Sequence, residues 1–91
     1  MKYKLNEIEY ELIENYRDGF SFDDVVQKYT DYFECFDYVF GDWAYGKLRL
    51  KGFYESDNKN VKIYNDIQFL EKYIEENCAV DCKRFLLKKI I

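Results

Sequence analysis

Ninety-one residues suffice for one domain and are too few for two, and a chain this long hides only about 60–65% of its unfolded surface. An aromatic content of 21%, with ten Tyr and eight Phe, offsets that thin margin and argues against disorder, since each buried ring removes about 150–250 Å² from water. A net charge of −4 argues against broad charge-driven binding to nucleic acid or anionic membrane, and the absence of histidine excludes Ser-His-Asp and Cys-His catalysis within the chain.

Residues 1–5 alternate lysine with apolar side chains and lead into acidic sequence, unlike a signal or transit peptide. No apolar run is long enough to span a bilayer. Residues 1–16 read as a hairpin turning at Asn6-Glu7, with Leu5 opposite Ile8, Lys4 opposite Glu9, Tyr3 opposite Tyr10 and Lys2 opposite Glu11. One face is then apolar and the other carries opposite-charge pairs. Glutamate is a poor residue for the second turn position. Arg17-Asp18-Gly19 breaks the strand. Ser21 stands as an N-cap with Asp24 in the acid position of a capping box. Phe22, Val25, Val26, Tyr29, Tyr32, Phe33 and Phe36 follow at helical spacing, which predicts a helix over roughly 22–34.

The segment YVFGDWAYGKLRLKGFY, residues 38–54, predicts a hairpin turning at Tyr45-Gly46 or in a wider loop spanning Ala44 to Lys47, with one register either way. Its register sets Trp43 against Leu48, Asp42 against Arg49, Gly41 against Leu50, Phe40 against Lys51 and Val39 against Gly52. A further turn at Asp57-Asn58 predicts a third strand, with Tyr54 against Val61, Phe53 against Lys62 and Gly52 against Ile63. Period-2 geometry then gives two faces. Val39, Trp43, Leu48, Leu50, Tyr54, Val61 and Ile63 form the core face, and Tyr38, Phe40, Asp42, Arg49, Lys51, Phe53, Lys62 and Tyr64 form the other. Asn65 with Gln68 opens a second helix over roughly 66–77, with Ile67, Leu70, Tyr73 and Ile74 as its inner stripe. Residues 83–90 close as a strand. Residues 1–91 are read as a single α+β domain, an antiparallel sheet of four to six strands with two helices.

YRDGF at 16–20, GDWAYGKLRLKGF at 41–53 and the Cys78–Cys82 pair before a final strand resemble the YutD-like family of small proteins from low-GC bacteria. The resemblance covers nearly the whole chain and implies a cytosolic protein; it supplies no catalytic residues. Where the family pattern has Asn-Phe-Gly between the two cysteines, this chain has Ala79-Val80-Asp81.

No phosphate-cradling G-x-x-x-x-G-K-[ST] or G-x-G-x-x-G loop is present. Three cysteines without a secretion signal predict reduced thiols in a cytoplasmic protein. Cys78 and Cys82 offer two thiolates, but only Cys35 remains and no histidine can complete four ligands. Structural free thiols are the simpler reading, and neither a metal nor a cofactor is expected. Arg17 and Asp18 are weaker candidates for a substrate site, more simply a turn, and Asp42 with Arg49 is more simply a cross-strand ion pair.

The stronger constellation is Tyr38, Phe40, Arg49, Lys51, Phe53, Lys62 and Tyr64, rings interleaved with cations on one sheet face expected to be exposed. Such a face suits a protein partner, because aromatic and arginine side chains serve as binding hot spots. It also suits single-stranded RNA, whose bases stack on rings while cations meet phosphates. Lys51-Gly52-Phe53 matches the opening of an RNA-recognition RNP1 motif, but Tyr54, Glu55 and Ser56 break it. The expected function is a non-catalytic protein-interaction module. RNA or ribosome association through the same face is the alternative, a small enzyme using carboxylates comes third, and no membrane partner is expected. A helix of the same chain lying on this face would make it core.

Overall fold

In the computed structural model, which describes residues 1–90, the chain forms β1 (Lys2–Leu5), β2 (Ile8–Tyr16), α1 (Phe22–Lys28), β3 (Tyr38–Ala44), β4 (Lys47–Phe53), α2 (Leu70–Asn77) and β5 (Arg84–Lys89). Short 3-10 turns occupy Asp31–Cys35, Ile63–Asn65 and Ile67–Phe69. The fold is α+β, one antiparallel five-stranded sheet in the order β1-β2-β5-β3-β4. Both hairpins take the registers read from the sequence, from Leu5 opposite Ile8 to Lys2 opposite Glu11, and from Trp43 opposite Leu48 to Val39 opposite Gly52. Their tips adopt positive φ at both central residues, 50° and 69° at Asn6-Glu7 and 54° and 75° at Tyr45-Gly46. That geometry matches the twist of the flanking strands, and at Glu7 it carries some strain.

Helix α1 is shorter than the predicted span of 22–34. Tyr29 leaves the helix with extended backbone, φ −68° and ψ 134°, and the chain restarts as a 3-10 turn after Thr30. The break lets Tyr29 reach beneath the sheet, where its hydroxyl lies 2.6 Å from that of Tyr10 in a buried pair. Ser21 occupies the N-cap position but makes no side-chain cap bond.

The predicted third strand does not form. The turn does, with Asn58 N–H donating to Glu55 C=O at 3.0 Å, but the returning chain makes local bonds instead of a ladder. Asn65 Oδ1 accepts from Lys62 N–H at 2.7 Å, and Asp66 Oδ1 accepts from Gln68 N–H at 3.0 Å. Such Asn and Asp side chains offer the backbone an alternative to pairing. Asp66, rather than Asn65, is therefore the residue that caps the second helical segment. An isolated parallel bridge, Tyr54 with Asp66, ties this stretch to the end of β4.

Two cores result. Under α1, Leu5, Tyr10, Val25, Tyr29, Val39, Leu48, Phe85 and Leu87 pack together, with Trp43 and Leu50 at the margin. On the opposite face Tyr38, Phe40, Phe53 and Leu86 pack against Leu70 of α2, joined by Ile67, Tyr73, Ile74 and Cys78. The inner stripe predicted for the second helix is the one that makes this contact.

Candidate functional site

The sheet face expected to be exposed is covered by α2. Tyr38, Phe40 and Phe53 are core, Phe53 being 1% exposed, and the flat open patch is not there. The reason is energetic: an amphipathic helix must bury its apolar stripe somewhere, and this face offers the rings of Tyr38, Phe40 and Phe53 to receive it. The Tyr38 hydroxyl donates to Glu55 Oε1 at 3.0 Å; burial first, then this bond to the carboxylate, pushes its pKa up to about 12.

What remains open is a groove of about 500 Å³ between β4, the 3-10 turns and α2, lined by Lys51, Phe53, Ile63, Tyr64, Phe69, Lys72, Tyr73, Glu76 and Asn77. Ile63 is 82% and Tyr64 70% exposed, and Phe69 is exposed beside them. Edge strand β4 brings Lys51 into the groove, where its ammonium lies 5.1, 5.3 and 5.9 Å from the ring centroids of Phe53, Tyr73 and Tyr64. Burial pulls the Lys51 pKa down, while the ring faces supply cation–π attraction of about 0.5–2 kcal/mol each. Of the predicted binding residues, the structure gathers Lys51 and Tyr64 here, with Phe53 as the floor. Lys62 is exposed outside the groove lining.

Arg49 stands near the groove's far end, where Asn77 lies. Its Nε donates to Asp42 Oδ1 at 3.0 Å, its second nitrogen pairs with Oδ2, and that nitrogen also donates to the Asn77 carbonyl at 3.1 Å. Asp42 is 2% exposed and Arg49 half-exposed, so the expected cross-strand pair also pins the end of α2. Cys78 and Cys82 converge on the same carboxylate. Burial, followed by a hydrogen bond to Asp42, pushes the Cys78 thiol up to about 12. Counting cysteines and histidines in the sequence could not bring Asp42 to this pair; only the strand register and the helix position do.

Arg17 and Asp18 lie exposed at the end of β2 with φ of 53° and 56°, and neither makes a hydrogen bond or ion pair among the described residues. The glycine of that turn is needed for a different reason from positive φ: a Cβ on Gly19 would run into the backbone of Arg84. The Gly19 carbonyl accepts from Trp43 Nε1 at 2.7 Å.

Residues 4–88 match the family described as "Putative antitoxin YutD-like". The chain belongs to this family. It is similar to the protein named "Putative antitoxin YutD" of Bacillus subtilis (strain 168), 42% identical over 82 residues that cover 90% of each chain. It is also similar to the solution NMR structure of protein yutD from B. subtilis, at 38% identity and a TM-score of 0.82, covering 99% of this chain and 82% of that one. Asp81, immediately before the second cysteine of the pair, stands at φ 58°. The position calls for left-handed backbone, which Asp tolerates better than most residues. The Asp81 carboxylate is then used as an acceptor for the Tyr16 hydroxyl at 2.9 Å.

Sequence reasoning missed Ile63, Phe69, Lys72, Tyr73, Glu76 and Asn77 as groove residues. A signal was present in the helix: Phe69 and Lys72 flank the apolar stripe of Leu70 and Tyr73, so a helix lying on β4 necessarily presents them to its rim.

Proposed function

We propose that the protein is a non-catalytic interaction module that captures a protein partner in the groove between β4 and α2. The observation that carries this reading is the exposed trio Ile63, Tyr64 and Phe69 beside a lysine held among three rings. Apolar side chains left in water forgo their burial energy, and a contiguous exposed patch of them marks a binding surface. Lys51 and Lys72 at the walls, with Glu76 at the rim, would orient an incoming segment. The antitoxin description of the family is in keeping with a protein partner such as a toxin.

The test is capture from a native cell extract by the tagged chain, compared with Ile63→Asp/Tyr64→Ala. Loss of a specific protein band with an unchanged melting temperature supports the groove. A partner that persists in the double variant sinks it. Capture that disappears with nuclease, or falls steeply with salt, assigns the surface to RNA instead.

A further inference from the structure

We propose that Asp42, Cys78 and Cys82 form a binding site for one zinc ion that clamps the end of α2 to β3 and to the start of β5. This site is independent of the groove. One donor atom from each residue lies within 4.8 Å of the others: Asp42 stands on β3, Cys78 caps the C-terminus of α2, and Cys82 follows in the same connection, two residues before β5. Zinc bonds thiolate sulfur at about 2.3 Å and carboxylate oxygen at about 2.0–2.2 Å, distances that small adjustments of the two cysteines would reach. The Cys78–Cys82 connection can supply them, since Val80 at its tip stands in solvent.

The carboxylate is already positioned. Arg49 holds both oxygens of Asp42, and each oxygen keeps a further lone pair for a metal. Fixing a ligand through a hydrogen-bonded outer partner is the usual way a metal site sets orientation. Charge also balances: two thiolates and one carboxylate carry three negative charges, and zinc with the Arg49 guanidinium carries three positive. A partly buried site is stable only near such neutrality. Two sulfurs select zinc over magnesium or calcium, which require oxygen shells. On binding, Zn²⁺ replaces the two thiol protons, which pass to solvent; no electron moves and no oxidant is needed. Three protein donors leave one tetrahedral position for water.

The experiment uses the full chain with its thiols kept reduced. Titration with Co²⁺ should produce a thiolate-to-metal charge-transfer band that saturates at one equivalent and is bleached by Zn²⁺. Zn²⁺, and not Mg²⁺, should raise the melting temperature. Asp42→Asn strips Arg49 of a buried partner and can unfold the domain, so the deciding variant is Cys82→Ser at the partly exposed turn. It should keep the wild-type circular dichroism and lose the band. Cys35→Ser should keep the band, because Cys35 lies by Tyr54, away from Asp42. Absence of the band in folded, reduced wild type at saturating metal overturns the site, and so does a band that survives Cys82→Ser.

Discussion

Beneath α1 the sheet presents Leu5, Tyr10, Val39, Leu48, Phe85 and Leu87, and the buried polar contact there is the neutral hydroxyl pair of Tyr10 and Tyr29. Beneath α2 it presents Tyr38, Phe40, Phe53 and Leu86, and at their margins stand Asp42, Arg49, Lys51 and Cys78. Both layers bury aromatic area, and at the margin of the first Lys89 donates to the Glu34 carbonyl, but the second gathers a carboxylate, a guanidinium and a thiol at one place. Helix α2 is the cause. At 8 residues it covers the aromatic centre and leaves open the groove along its β4 side and the carboxylate–thiol cluster at its C-terminal end. Chemistry collects where a helix is too short to close the face beneath it.

That contrast breaks first at Phe53. Phe53→Ala should destabilise by about 3–5 kcal/mol, a large part of the roughly 5–15 kcal/mol a domain possesses, as read from urea midpoints. A midpoint near that of wild type would mean the α2 layer is not core.

Trp43 sits at the margin of the other layer and should lose less. The indole is half-buried, so Trp43→Ala should fall at about 2–3 kcal/mol, below the range for a fully buried aromatic. Part of that loss is the bond to the Gly19 carbonyl. An equal loss at Trp43 and Phe53 would erase the distinction between margin and centre.

Alkaline titration sharpens the comparison further. Tyr38 is raised from 10.0 to about 12, and burial also raises Tyr10 and Tyr29 on the opposite face. A raised phenol keeps its proton in the folded state while the unfolded chain releases it. Stability from Tyr38 is thus fully present below pH about 10 and is lost as pH climbs towards about 12. Urea midpoints across that window should fall, and Tyr38→Phe should flatten part of the fall; an unaltered slope would mean that burial does not shift Tyr38 in the folded state.

The smallest effect on stability is expected at the groove. Tyr64→Ala should stay within about 0.5 kcal/mol of wild type, since its ring is mostly in water. A larger loss would show the ring supporting the fold through Lys51 and would weaken its assignment to a partner.

The hairpins were legible because period-2 alternation and turn chemistry are local. Leu5 opposite Ile8 and Trp43 opposite Leu48 need no knowledge of the rest of the chain. The helical stripe of Ile67, Leu70, Tyr73 and Ile74 was legible for the same reason. The strand expected at 61–64 failed because its alternation competed with Asn65 and Asp66, whose side chains bind nearby amides. In the candidate groove, Lys51 could be named in advance from β4; Tyr64 was named, and Ile63 assigned to the core, through the strand that fails to form, and Phe69 was passed over beside the helical stripe.

By itself the sequence determined two hairpins, two helical segments, and a sheet with an apolar face and an aromatic-basic face. Those follow from spacings of two to four residues, over which backbone geometry dictates which side chains share a side. Only the tertiary structure decided that β5 joins the hairpins, that α2 lies on the aromatic face, and that Asp42 meets Cys78 and Cys82. Both faces could accept an apolar helix, and the choice between them is made by total area buried and by chain connectivity, quantities that no local pattern carries.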